Sequence, residues 1–238
     1  MQGTPCPFGW YRSVDMTGFA AFLLLATACQ SATNPITICI DPGHPSEVGL
    51  GTRGKDVTEI HIAWVVAKKL EEILKKQKVN VVLTKQSENQ FVKNVDRAKV
   101  GNECHADLMI RLHCDASSGT GFTTYFPDHQ GTQNGFTGPD PALIKRIAPI
   151  AKRFHEVLRH DLDGFLKDNG LLSDDKTAVG SKYGALIASI HSQVPVVLVE
   201  MCVLTNPKDE ALVSNADSQA RLAEALADAC VKSLDKSR

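Results

Sequence analysis

The chain has 238 residues, with 26 Lys and Arg against 27 Asp and Glu, a formal net charge of -1 at pH 7. A balance this close to neutral offers no broad basic surface of the kind nucleic-acid binding needs. Hydrophobic residues make up 43% and charged residues 22%, which excludes a disordered or collagen-like chain and suits one globular domain.

Residues 1–35 read as an export leader, which implies a periplasmic or cell-envelope destination. The run TGFAAFLLLATA, Thr17 to Ala28, carries no charge and ends in small residues. It is well short of the ~20 apolar residues a bilayer span needs. It is therefore read as the apolar core of a signal peptide, with a buried N-terminal helix as the other reading. Arg12 is the one positive side chain ahead of it, and Met16 offers a second start. Cys29 follows Ala28 as a lipidated cysteine would, although Ala26 stands where lipoprotein signals carry Leu or Val, so lipid anchoring and simple cleavage both stay open. Beyond the leader lie Cys39, Cys104, Cys114, Cys202 and Cys230. An odd number without a C-x-x-C pair argues against a disulfide framework and against a cysteine-ligated zinc. Cys39 and Cys202 sit in or beside apolar runs, as small buried hydrophobes do.

From residue 36 strands and helices alternate. ITICI (36–40) reads as a first strand. A helix follows in TEIHIAWVVAKKLEEILKK, where Ile60, Ala63, Ala67, Leu70 and Leu74 recur at helical spacing behind a Thr58 N-cap. NVVLT (80–84) is a second strand and FVKNVDRAKVGNEC a second helix. Strands over 107–113, 123–126 and 194–200 and a last amphipathic helix, DSQARLAEALADACVKSL, complete the pattern. This order predicts an α/β fold with a mostly parallel twisted sheet of about five to six strands and helices on both faces. Residues 127–183 are the least patterned, with a loop and then a helix broken or kinked at Pro149, and read as an elaboration beside the sheet.

Three strands end in chemistry-bearing residues: the first runs into His44, the third into His113 and the fifth into Glu200. In a parallel sheet the carboxyl ends of strands share one edge, where ligands bind. Taken singly, a histidine at a strand end is often only a turn residue. Taken together, two His aimed into one crevice are what a catalytic metal asks of its ligands. Glu200 follows the apolar VVLV, and a buried carboxylate is costly unless it meets a charge or donor. Glu59 in the first helical turn suits the helix dipole, but its place just after the His44 loop also directs it to the same edge. Two His and a carboxylate that leave a position for water make a hydrolytic zinc site, with a second carboxylate free to act as base. His61, His105, His155 and His160 are assigned to solvent, while His129 and His191 lie on loops that can approach the site. Arg97 and Asn206 are read as loop-fixing residues, Arg97 alternatively as a contact for an acidic peptide. Cys114 is set aside as a nucleophile, because neighbours on a strand point to opposite faces.

These motifs resemble those of the zinc-dependent N-acetylmuramoyl-L-alanine amidases of bacterial cell walls, over about residues 36–235. IDPGH is similar to the family's opening motif, TEIHIAWVVAKKL to its helix with a liganding Glu, RLHCDAS to the strand ending in the second zinc His, and VPVVLVEMCVLTNPKDE to the closing motif with the catalytic Glu. The resemblance implies one Zn2+ on His44, Glu59 and His113, with Glu200 as catalytic carboxylate. It also implies a peptidoglycan substrate cut between muramic acid and L-alanine, and a regulatory activator protein as a further partner. The loop PSEVGLGTRGKDVT departs from the family's Gly-Gly opening, and Cys202 stands where Gly is common. Aligning GKDV instead would place the ligand on Gly54, which has no ligand atom. The same ligands would also serve a zinc peptidase, and a wall-binding protein without turnover is the reading from another class.

Overall fold

The computed structural model describes residues 35–234, so the leader and Cys29 lie outside the described residues. In chain order the strands are β1 (Thr37–Pro42), β2 (Asn80–Leu83), β3 (Leu108–Asp115), β4 (Phe122–Phe126), β5 (Gly131–Gln133), β6 (Phe136–Gly138), β7 (Asp168–Ser173) and β8 (Val196–Val203). The helices are α1 (Glu59–Lys76), α2 (Asn94–Glu103), α3 (Pro141–Asp161), the short α4 (Gly180–Tyr183) and α5 (Ile187–Ile190), α6 (Pro207–Val213) and α7 (Ala216–Leu234).

Six strands form one sheet in the order β2-β1-β3-β8-β4-β7, and β5 and β6 pair as a separate hairpin. β1 runs parallel to β2 and β3, and β3 parallel to β8. The parallel pattern breaks at β4, which is antiparallel to β8 and parallel to β7. The cause is connection length: the 116–121 loop is too short for the crossover of a dozen or more residues that a parallel return requires.

Right-handed crossovers from β1 to β2, and from β2 back past β1 to β3, put α1 and α2 on opposite faces. The α1 face is apolar. Ile62, Ala63, Val66, Ala67, Leu70 and Leu74 are buried at helical spacing behind Thr58, whose hydroxyl accepts from His61 N at 3.3 Å. α1 and α3 both pack on α7. α3 runs unbroken through Pro149, because the buried stripe Leu143, Ile147, Ile150, Phe154 and Leu158 anchors the residues on both sides of it despite the lost hydrogen bond. Residues 127–183 thus supply the hairpin, α3 and the sheet-edge strand β7.

The α2 face is polar at its centre. Asp41 is fully buried between Arg97 Nη1 at 2.6 Å and Arg111 Nε at 2.8 Å, and Thr84 Oγ1 donates to it at 2.5 Å. Burial alone would raise its pKa, but the two guanidiniums win and hold the carboxyl well below the usual carboxylate range. Among the described residues no helix is long and apolar enough to cross a membrane.

Candidate active site

β1 ends at Pro42, and the chain turns sharply so that His44 takes φ +48°, a region where side chains other than glycine need support. Lys85 gives that support: its buried Nζ donates to the carbonyl of His44 at 2.5 Å and to that of Glu88 at 2.8 Å. His44 Nδ1 meets the Gly49 carbonyl at 3.0 Å, which leaves Nε2 facing Glu59 Oε1 at 3.5 Å. Glu59, 2% exposed, also takes His113 Nδ1 on Oε1 at 2.8 Å, Cys114 N on the same oxygen at 3.2 Å, and Thr52 N on Oε2 at 2.6 Å. Burial would raise the Glu59 pKa, yet the hydrogen bond and charge of His113, with His44 and Thr52, turn the net shift downward. His113 is pushed down to about 4, chiefly by burial and against the pull of Glu59. An ionised Glu and a neutral imidazole are the states in which these groups ligate metals.

One ligand atom from each of His44, Glu59 and His113 lies within 4.8 Å of the others. Tetrahedral bonds of ~2.1 Å require ligand atoms ~3.4 Å apart, close to the His44–Glu59 separation. Buried Nε2 of His113 has no hydrogen-bond partner, and neither has buried Oε2 of Glu200. Such atoms are rare unless a ligand is missing. The residues therefore fit a cation held by two imidazoles and a carboxylate. The loop that departs from a Gly-Gly opening serves the cluster through other glycines. A Cβ on Gly51, at φ +77°, would stand 2.5 Å from Glu59 Oε2, and one on Gly43 would stand 2.6 Å from the His113 ring. Gly54 is elsewhere, against the Glu210 carboxylate that accepts from Asp56 N and Val57 N.

Glu200 sits directly opposite His113 in the β3–β8 register. Burial, followed by the charges of Glu59 and Asp115, raises its pKa well above the usual carboxylate value. His44, His113 and Glu200 line a cavity of about 360 Å³ together with Arg111, Asp115, Tyr125 and Leu198 from the sheet. Asn94, Val48, Lys176–Val179, Leu186 and Ile187 complete its wall. The four expected residues are thus brought together.

Other expectations resolve differently. His61 is exposed beside Glu88 and His105 and His160 are exposed, but His155 is buried, with Thr124 Oγ1 at 3.1 Å and Asp168 at 3.4 Å, and its assignment to solvent is corrected. The helix position concealed this, because a stripe of α3 turns the ring onto β4. His129 is exposed beside Asp128, and His191 stacks on Phe136 at 4.6 Å; neither lines the cavity. Arg97 is enclosed by Asp41 and the carbonyls of Val92, Pro42 and Pro45, and Asn206 caps α6 while donating to the Gly119 carbonyl. Cys114 is buried, and its contact with Cys202 and its burial raise the thiol pKa well above normal, so no thiolate is offered to the cavity. Arg111 and the wall at 176–187 were missed. Arg111 was within reach of the sequence, being two residues before His113 on the same strand face.

A metal-competent cluster and a carboxylate on the carboxyl edge of a parallel sheet are the construction of a hydrolase site. The N-acetylmuramoyl-L-alanine amidase family model matches residues 38–232, and the chain belongs to that family. The amidase AmiA of Escherichia coli is 26% identical over 226 residues, 82% of this chain and 74% of AmiA. The catalytic domain of the amidase CwlV from Bacillus (Paenibacillus) polymyxa superposes with a TM-score of 0.65 at 25% identity, over 84% of this chain and 98% of that one. The CwlD amidase from Clostridioides difficile, solved in complex with the GerS lipoprotein, shares the fold with a TM-score of 0.64 at 19% identity, over 84% and 98% of the two chains. The reaction of this chain is accordingly hydrolysis of the amide between N-acetylmuramic acid and L-alanine in peptidoglycan.

Proposed function

We propose that His44, Glu59 and His113 hold a single Zn2+ and that Glu200 is the general base of the amide hydrolysis. The observation that carries this reading is the cluster itself: ligand atoms of His44, Glu59 and His113 within 4.8 Å of one another, with Glu200 beside His113 in register and its buried Oε2 without a hydrogen-bond partner. When bound, Zn2+ supplies a Lewis acid that acidifies water, polarises a carbonyl and counters the negative charge of Glu59 beside Glu200. Glu200 takes the proton of the attacking water and passes it to the alanine nitrogen as the amine leaves. Glu59 holds both imidazoles in place, and Gly49 fixes the His44 tautomer through its carbonyl.

Export follows from the substrate. The cell wall lies outside the membrane, and the uncharged run Thr17–Ala28 is the segment that would carry the chain there. A protein partner that regulates the site, as GerS accompanies CwlD, belongs to the same reading. The test is digestion of purified peptidoglycan by the mature chain with and without chelator. Free L-alanine amino groups that disappear with chelation and return with Zn2+ are expected. New reducing ends, or shortened peptides still attached to muramic acid, would overturn the reading.

A further inference from the structure

Arg97 and Arg111 share the one carboxylate of Asp41, but they are not equivalent. Arg97 spends Nε, Nη1 and Nη2 on protein acceptors and does not reach the cavity. Arg111 gives Nε to Asp41 and Nη2 to Asn94 Oδ1 at 2.7 Å, and its hydrogen bonds to described residues leave Nη1 unused. Its side chain is 4% exposed, and it lines the cavity. Lys85 adds a third buried cation beside this pair, and its Nζ donates to the backbone carbonyls of His44 and Glu88. Carboxylates stand close as well: Glu47 is engaged by the backbone and side-chain nitrogens of Asn94, and Asp115 and Glu200 line the cavity. Asp174 is buried and takes Leu186 N. Lys176 brings one more cation to the cavity rim.

We propose that Arg111 reads a free carboxylate on the residue that follows the L-alanine of the substrate peptide, which makes it a specificity residue of this site. The inference rests on the amidase activity for the identity of the substrate. Arg111 precedes His113 by two positions on β3, about 6.6 Å along the strand. An extended peptide advances ~3.3–3.6 Å per residue, so a scissile amide at His113 and Glu200 sets the second residue's main-chain carboxyl level with Arg111. The charge decides which arm of the substrate lies there. The sugar side presents hydroxyls and acetamides, whereas the peptide side presents carboxylates, and a guanidinium edge with Nη1 unspent favours the latter.

The test compares MurNAc-L-Ala-D-Glu with the same compound amidated at its α-carboxyl, on the full chain loaded with Zn2+. Wild type should prefer the carboxylate by ~10- to 100-fold in kcat/KM, the range of a charge-assisted hydrogen bond. Arg111→Gln should lose that preference, the kcat/KM ratio between the two compounds falling to within ~3-fold of one whatever the loss common to both. Arg111→Lys should keep part of it, and metal content should be unchanged in both. Equal losses on the two compounds, or no preference in wild type, would overturn the proposal. Calorimetry of L-Ala-D-Glu and its α-amide separates this from the amidase reading, because it needs no turnover. Carboxylate-selective binding without cleavage leaves Arg111 standing and sinks the activity. Cleavage without carboxylate selectivity does the reverse. If Arg111→Gln does not fold, the wild-type preference and Arg111→Lys decide.

Discussion

Glu200 and His113 face each other in register on the parallel strands β8 and β3, and each ends in a buried atom without a hydrogen-bond partner, Oε2 and Nε2. Leaving two such atoms unsatisfied costs ~1–3 kcal/mol apiece. The fold accepts that cost at the carboxyl edge of the sheet, where a ligand can repay it, and nowhere else along these two strands.

The two glutamates should therefore fail differently. Glu200→Gln leaves His44, Glu59 and His113 in place, so zinc should stay stoichiometric while turnover falls ~100-fold or more, the scale of a lost general base. Glu59→Ala removes a ligand and the anchor of both imidazoles, so metal and activity should fall together. Elemental analysis beside peptidoglycan turnover checks both. Near-normal activity in the first variant, or full zinc in the second, would reassign the roles.

Two loop glycines offer a matched pair. Gly51 and Gly49 both have positive φ, +77° and +129°, but a Cβ at 51 strikes Glu59 and His44 while one at 49 meets nothing within 4 Å. Alanine at either position should cost ~1–3 kcal/mol of backbone strain. Gly49→Ala can disturb His44 only through the Gly49 carbonyl, whereas Gly51→Ala drives a methyl into both Glu59 and His44 and should weaken zinc binding by a further ~10-fold or more in a competitive metal titration. Equal zinc affinity in the two variants would mean that the loop is not fitted to the site.

The sheet and the four-residue cluster were legible because they depend on short-range signals. Apolar runs such as ITICI mark strands, and polar residues at their carboxyl ends converge wherever strands run parallel. β7 was not legible: DNGLLS alternates weakly, is an edge strand, and owes its existence to pairing with β4. The direction of β4 was fixed by a loop length and not by its own residues. His155 and the cavity wall at 176–187 depend on which face of a long segment meets the sheet, which no local pattern states. Arg111 is the exception, since strand alternation alone puts it on the face of His113.

Thiol chemistry should be confined to one position among the described residues. Cys104 is partly exposed, and its contact with Cys39 lowers its pKa to about 7, whereas Cys39, Cys114, Cys202 and Cys230 are buried. Iodoacetamide at pH 7.5 should label Cys104 first among the described cysteines. Turnover should survive that labelling, because Cys104 closes α2 and does not line the cavity. Mass mapping of the alkylated chain checks the order, and early modification of Cys114 with loss of activity would return a thiol to the mechanism.

Asp174 ties cavity shape to pH. It is 1% exposed, accepts Leu186 N at 3.2 Å, and opens the turn that brings Lys176–Val179 to the cavity. Burial raises its pKa from 3.8 to about 6, against the pull of Ser189, the Leu186 amide and Arg111. A folded-state pKa above the unfolded one means that the contribution is fully present below about pH 4 and is lost as pH rises through about 6. The loss by pH 7.5 is on the order of 3 kcal/mol. Asp174→Asn cannot ionise and keeps an acceptor for Leu186 N, so it should match wild type at about pH 3.5 and exceed it in stability at pH 7.5. Urea unfolding of both chains across that range isolates the effect, because every other titration is common to the two. A difference that does not change with pH would show that Asp174 does not titrate between them.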